Sequence, residues 1–170
     1  MKYHLLLTGP PRVGKTTIIE KAIKELKNKY KLDGFITKEI REKGERKGFE
    51  IIKIDGEKKA FSHIDFKSRY RIGKYGVNLK NLEEIIEKID FKNCDILIVD
   101  EIGKMELLSK KFFIWIKEVL KNEKPRILGV VGEKVLENLK KEIDFSKCEI
   151  IKVLYENRNN LLKEILNFFP

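Results

Sequence analysis

Near the start of the chain, Gly9-Pro10-Pro11-Arg12-Val13-Gly14-Lys15-Thr16 matches the pattern G-x-x-x-x-G-K-[ST] at every fixed position. The chemistry open to such a stretch is capture of a polyphosphate. Glycines at positions 9 and 14 let the backbone wrap closely around an anion with no Cβ in the way. Lys15 adds a point charge for the β- and γ-phosphates, and the Thr16 hydroxyl is the expected ligand of a Mg²⁺ ion. Thr17 is a candidate for the α-phosphate. Arg12 reads equally as a phosphate contact or as a solvated side chain.

A second group lies far along the chain, where Ile96-Leu97-Ile98-Val99 runs into Asp100-Glu101. Four apolar residues followed by two acids is the pattern of a buried strand whose end faces a bound nucleotide. Asp100 would hold Mg²⁺ through a water, because that ion dehydrates reluctantly. Glu101, one residue on, is placed to orient or deprotonate a water attacking the γ-phosphate. Thr16 and Asp100 are therefore the expected metal ligands, and Lys15 and Glu101 the expected catalytic pair. Adjacent acids are common at strand ends, so this reading draws its weight from the phosphate loop upstream.

Both groups need elements to hold them. Residues 3–8 read as a buried strand, followed by a helix on which Ile18, Ile19, Ala22, Ile23 and Leu26 recur at helical spacing. A loop between strand and helix presents unpaired N–H groups and the positive end of the helix dipole. From residue 79 helix and strand alternate to the end of the chain, with strands at 96–99, 127–131 and 150–154. Strands that are apolar on both faces and separated by helices indicate a parallel sheet covered on both sides. Residues 34–61 differ: they alternate apolar with polar around Gly44 and Asp55-Gly56, which predicts an antiparallel β-meander insertion. No linker divides the chain, so residues 1–170 read as one α/β domain of three layers. The stretch Ile89 to Ile96 resembles Ile143 to Ile150, which we read as two helix-to-strand corners built alike.

Composition narrows the class. The 170 residues carry 37 basic and 27 acidic side chains, a net charge of +10. No apolar run approaches the roughly 18 to 20 residues of a membrane span, and the N-terminus has no cleavable signal pattern. Cys94 and Cys148 have no partners at ligand spacing and suit small buried residues in a reducing, cytoplasmic setting. Abundant Lys, Glu and Ile fit a thermophile's protein.

The stretch Asp100-Glu101-Ile102-Gly103-Lys104-Met105-Glu106-Leu107 resembles the signature of a small P-loop nucleoside-triphosphatase family of thermophilic archaea and bacteria, which also includes the human cancer-related nucleoside-triphosphatase. Similar stretches at 34–41, 46–49, 75–78 and 156–158 extend the likeness over the whole chain. The resemblance implies a RecA-like, mostly parallel sheet with the 127–131 strand between the strands bearing the phosphate loop and Asp100. It implies Mg²⁺-dependent hydrolysis of ATP, GTP, CTP, UTP and TTP with little base preference. It also favours Arg158 over the base or the phosphates. Ile102, Gly103 and Lys104, just beyond the acid pair, are read with the nucleotide site, Lys104 being open between a phosphate contact and a surface residue. Pro10-Pro11 departs from the family's usual loop and removes two N–H donors.

Arg41 and Arg46 read as residues of the meander's solvent face, and His63 as an ordinary surface or turn residue. Residues 66–82 hold Lys67, Arg69, Arg71, Lys74 and Lys80 and no acid, half of the net charge. A solvated surface is favoured there, ahead of a mobile lid over the substrate and a nucleic-acid contact. The sequence thus supports a nucleoside-triphosphate hydrolase first. Behind it stand a small-molecule or nucleotide kinase on the same core and a nucleotide-switched RNA- or DNA-binding module.

Overall fold

Three consecutive leucines show how the sequence builds the molecule. In a strand, successive side chains point to opposite faces. In β1 (His4–Thr8), Leu5 and Leu7 enter one core and Leu6 enters the other. Ile96 and Ile98 of β7 (Ile96–Ile102) likewise join the first core, and Leu97 and Val99 the second. The computed structural model describes all 170 residues. Helix α1 (Lys15–Leu26) and helix α5 (Leu161–Phe168) cover the Leu5 face. Helices α2 (Leu79–Glu87), α3 (Lys110–Lys121) and α4 (Glu133–Leu139) cover the other. Each fully buried Leu or Ile contributes about 1.5–3 kcal/mol, so a sheet packed on both faces demands apolar residues at successive positions.

One nine-stranded sheet runs through the molecule. Its parallel half contains, in spatial order, β2 (Leu32–Glu42), β7, β8 (Arg126–Val131), β1 and β9 (Cys148–Lys152). Strand β8 lies between β1 and β7, as the resemblance implied. The antiparallel meander is present as β2, β3 (Glu45–Lys53) and β4 (Lys58–His63). It is continuous with the parallel half, because β2 pairs with β7 through Leu32–Phe35 and with β3 along the rest of its length. Long-range pairing of this kind leaves no local sequence mark.

The junction at β2 is tightly specified. Gly34 has φ +121°, and a Cβ there would stand 2.0 Å from the carbonyl oxygen of Ile98. The neighbouring Asp33 carboxylate accepts bonds from the N–H of Gly34 (2.7 Å) and of Asp90 (3.0 Å), and the Lys53 ammonium lies 3.1 Å away. Burial alone would lower the Lys53 pKa, but Asp33 and Asp55 outweigh it and raise the value. One carboxylate thus ties β2 to β3 and to the turn that follows α2.

The basic segment 66–82 is a built element and not a mobile loop. Strands β5 (Arg71–Ile72) and β6 (Tyr75–Val77) form a hairpin at the sheet edge, and α2 begins directly after it. Arg71 donates to the carbonyls of Phe66 (3.0 Å) and Lys74 (2.9 Å), and Arg69 donates to the Tyr70 hydroxyl (2.7 Å). The Arg71 bonds fasten the hairpin and support the surface reading over the lid. The short motif missed here was Gly73-Lys74, a turn whose glycine takes φ +57°. His63 ends β4, where its Nδ1 accepts the N–H of Asp65 (3.1 Å) in the turn that follows. The similar stretches around Cys94 and Cys148 both lead into a parallel strand. Both cysteines are free and buried, and burial pushes their thiols up to about 11 and about 12.

Replacing Gly34 by Ala sets a methyl against backbone that cannot move without parting β2 from β7. The expected loss is ~4 kcal/mol or more, at the exceptional end for a single substitution. Urea denaturation measures it directly; a loss under ~1 kcal/mol would mean that the β2–β7 junction is more yielding than its geometry indicates.

Candidate active site

The phosphate loop spans the gap from β1 to α1. Its first glycine is pressed against β9, for a Cβ on Gly9 would lie 2.6 Å from the carbonyl oxygen of Val153. Gly14 (φ +100°) sits at the helix N-cap, where nothing lies within 4 Å of a would-be Cβ. Its need for glycine is therefore conformational, and the space beside it is open. No side chain caps α1 and no acid stands in its first turn, so the helix's N–H groups and positive dipole end remain uncompensated. Arg12 adopts φ +65° and its side chain is exposed. The side chain of Val13 is buried in the core, so only its backbone belongs to the loop.

Lys15 reaches across this loop. Its ammonium donates to the carbonyls of Gly9 (2.6 Å) and Pro10 (2.8 Å). Burial lowers its pKa, partly offset by Glu101, Glu133 and Asp100. The prolines thus have a structural part: they lack N–H donors, yet the Pro10 carbonyl helps hold the lysine. Residues 12–17, on the helix side, keep their N–H groups.

Asp100 and Glu101 lie at the end of β7, separated from β1 by β8 alone, which is roughly 10 Å at the usual strand spacing. The β7–β8 register shifts between Asp100 and Ile102, leaving Glu101 out of the ladder. Such a bulge re-aims a side chain. Asp100 is buried, and its Oδ2 has no hydrogen-bond partner. Burial, reinforced by Glu101, raises its pKa to about 7, with the Thr16 hydroxyl and Lys15 acting the other way. Burial also raises Glu101, against the pull of Lys15.

A third carboxyl, not singled out by the sequence reading, completes the group. Glu106 is buried, and its Oε1 accepts the Gly103 N–H at 3.1 Å. A Cβ on Gly103 would be 2.9 Å from Glu106 Oε1 and 3.0 Å from Glu101 Oε1, so the bare glycine lets both carboxyls come close to it. Burial and Glu101 hold the Glu106 pKa well above the ordinary range. The signal was an acid inside the apolar run Met105 to Leu108.

Other expected site residues are placed differently. Thr16 is half-buried beside Asp100, and Thr17 is exposed on α1. The side chain of Ile102 is wholly buried in the core under α2 and α3, so it offers no side chain to a nucleotide. Lys104 is exposed. Arg158 begins a single 3₁₀ turn (Arg158–Asn160) ahead of α5 and donates to the Val13 carbonyl of the phosphate loop (3.4 Å). Asn157 does not cap that helix; its amide bonds the backbone of Leu154 and Lys152. Arg41 and Arg46 pair with Glu39 within the meander, Arg46 also bonding the Tyr75 hydroxyl, as expected of its solvent side.

Thr16 and Asp100 offer hard oxygen donors, and the free Oδ2 of Asp100 suits a divalent cation or its water. No group of three acidic, His or Cys side chains forms a metal cage. A cation held here would complete its shell with water and substrate oxygens, as Mg²⁺ commonly does.

A glycine-bearing loop at an uncapped helix, with an acid pair two strands away on a sheet covered by helices, defines the P-loop NTPase class. The NTPase family model matches residues 4–166. The nucleoside-triphosphatase THEP1 of Thermotoga maritima is 44% identical over 168 residues, 96% of this chain and 93% of that protein. The human cancer-related nucleoside-triphosphatase is 34% identical, with 98% and 96% covered. The crystal structure of THEP1 from Aquifex aeolicus superposes with a TM-score of 0.85 at 35% identity, covering 98% of each chain. The chain belongs to this nucleoside-triphosphatase family.

The raised Asp100 pKa has a signed consequence. In the folded, metal-free protein the carboxyl keeps its proton up to about pH 7; unfolded, it loses it near 3.8. Its contribution to stability is complete below about pH 3.8 and is lost progressively as pH rises from there to about 7. Cation binding requires the ionised form, so Mg²⁺ affinity should rise about tenfold per pH unit from pH 5 to 7 and then level off. Calorimetric titration tests this. Asp100→Asn should abolish the rise and, by urea denaturation, stabilise the metal-free protein at pH 8. A pH-independent affinity in the unaltered protein would remove Asp100 from the ligand set.

Proposed function

We propose that the chain hydrolyses nucleoside triphosphates to diphosphates and orthophosphate, with Mg²⁺ as cofactor and little preference for the base. The observation that carries this reading is Glu101, displaced from its strand ladder and half-buried beside the Lys15 phosphate loop. A site built only to hold a nucleotide has no use for a base so placed.

On binding, the uncapped N–H groups of α1 receive the phosphates, and Lys15 exchanges the carbonyls of Gly9 and Pro10 for phosphate oxygens. Its charge then opposes the negative charge developing on the transferred phosphoryl group. Thr16 and Asp100 would hold Mg²⁺. When bound, that ion neutralises charge on the β- and γ-phosphates. Glu101 orients the attacking water and accepts its proton; burial, which raises its pKa, suits it to that task. Glu106 supports it from behind, anchored on the Gly103 N–H. Two buried free cysteines agree with a cytoplasmic setting, and no helix is long and apolar enough to cross a membrane.

Incubation with Mg²⁺ and each triphosphate in turn should release orthophosphate from the protein alone. Lys15→Ala and Glu101→Gln should each lower kcat by about 10²-fold or more without changing the melting temperature by more than a few degrees. Phosphorylation of an added small acceptor with negligible orthophosphate would replace hydrolase with kinase. Turnover seen only with RNA or DNA, and falling steeply with salt, would favour a nucleic-acid-dependent switch.

Glu106 adds a separate expectation. Glu106→Leu leaves the Gly103 N–H without its acceptor and should lower kcat about tenfold or more, whereas Glu106→Gln, which keeps a carbonyl oxygen, should retain most of it. Equal effects of the two variants on kcat would count against the positioning role.

A further inference from the structure

Only four large apolar side chains stand exposed: Met1 at the terminus, Ile114 on α3, and the consecutive pair Leu154 and Tyr155. The last two follow β9, directly beside the phosphate loop. The N–H of Val153 donates to the Thr8 carbonyl at 2.8 Å, and Gly9 is packed on the Val153 backbone. The chain that carries Tyr155 therefore departs from the first glycine of the loop.

Arg158 joins the two. Its guanidinium carbon lies 4.9 Å from the Tyr155 ring centroid, and its Nη1 donates to the Val13 carbonyl at 3.4 Å. The turn between them is closed by its own bonds. Arg158 N donates to the Leu154 carbonyl (3.0 Å), Leu154 N donates to Asn157 Oδ1 (2.8 Å), and Asn157 Nδ2 donates to the Lys152 carbonyl (2.8 Å). An aromatic ring is thus 63% exposed on a turn already ordered. Exposure of that kind, on a hydrogen-bonded frame, suits a ligand that covers the ring.

We infer that Tyr155, backed by Arg158, is the stacking platform for the nucleobase of the substrate. The inference deepens the nucleotide-site reading and rests on it. Every base has a π-face, so stacking on an aromatic ring holds purines and pyrimidines alike. Reading one base against another needs hydrogen-bonding groups aimed at its edge. The amide of Asn157 is committed at both ends to the backbone, and the neighbouring Glu156 carboxylate is exposed on the same turn. A platform without an edge reader gives affinity for the nucleoside while leaving base identity unread. Arg158 contributes through its charge against the ring and through its hold on the loop, which keeps platform and phosphate site in register.

The test separates base from phosphate and does not depend on turnover. Dissociation constants of ADP, GDP, CDP, UDP and inorganic pyrophosphate are measured with Mg²⁺ by calorimetry for the unaltered protein, Tyr155→Ala and Tyr155→Trp. Tyr155→Ala should weaken all four nucleotides by about 5- to 100-fold and leave pyrophosphate within about twofold. Tyr155→Trp should restore nucleotide affinity. Unchanged nucleotide affinity in Tyr155→Ala would overturn the proposal. So would equal weakening of pyrophosphate, which would make Tyr155 a support of the loop, or weakening confined to one base, which would make it an edge reader. If nucleotides bind through Tyr155 and no orthophosphate appears, the hydrolase reading fails and the platform stands. If orthophosphate is released and Tyr155→Ala binds normally, the reverse holds.

Discussion

Charge withdrawn from water is what the rest of this structure depends on. Asp100 and Glu106 are buried and Glu101 is half-buried, with Lys15 the cation that acts on Asp100 and Glu101. Such a group is costly to hold in a low-dielectric setting unless protons or bound cations balance it. The raised pKa values of all three acids express that cost. The uncapped start of α1 is the complementary feature, a positive helix end beside the acids. Both features suit the metal–polyphosphate complex of the proposed function, in which the phosphates would meet the helix and Lys15 and the cation would meet the acids.

Keeping these groups apart yet within reach is the work of sheet order. Placing β8 between β1 and β7 opens a crevice at the carboxyl ends of the parallel strands, where ligands of open α/β sheets bind. Apolar packing on both faces holds that order. At β2 the same sheet turns antiparallel, and Gly34, Asp33 and Lys53 lock the change. The +10 net charge is largely separate from this machinery. Arg71 fastens the edge hairpin, and Arg46 braces the meander against Tyr75. A basic balance that first suggests nucleic acid is, in these residues, a matter of internal hydrogen bonding.

Legibility followed the range of the interaction. The phosphate loop was readable because its glycines, lysine and threonine lie in one short contiguous turn whose backbone demands are local. Asp100 and Glu101 were readable because an apolar strand announces where its end lies. Glu106 was not, since its meaning comes from Gly103 folding back on it. Ile102 was misjudged for a related reason: adjacency in sequence to Glu101 does not turn a side chain toward the site, and strand alternation sends this one into the core. The surface reading favoured at 66–82 agrees with the hairpin there, but the hairpin itself was not legible, because glycines and lysines look alike in a loop and in a short pair of strands.

The sequence by itself determined the class of the protein, the residues of the phosphate loop and the acids at the end of β7. Periodicity and contiguous motifs are written within single turns and strands, so they survive without a partner. Tertiary structure alone decided that β2 serves both halves of the sheet, that the Glu106 carboxyl folds back on the Gly103 N–H next to Glu101, and that Arg158 links the Tyr155 ring to the Val13 carbonyl of the phosphate loop. Each of these depends on segments distant in the chain brought side by side, and pairing of that kind is set by the packing of the whole sheet.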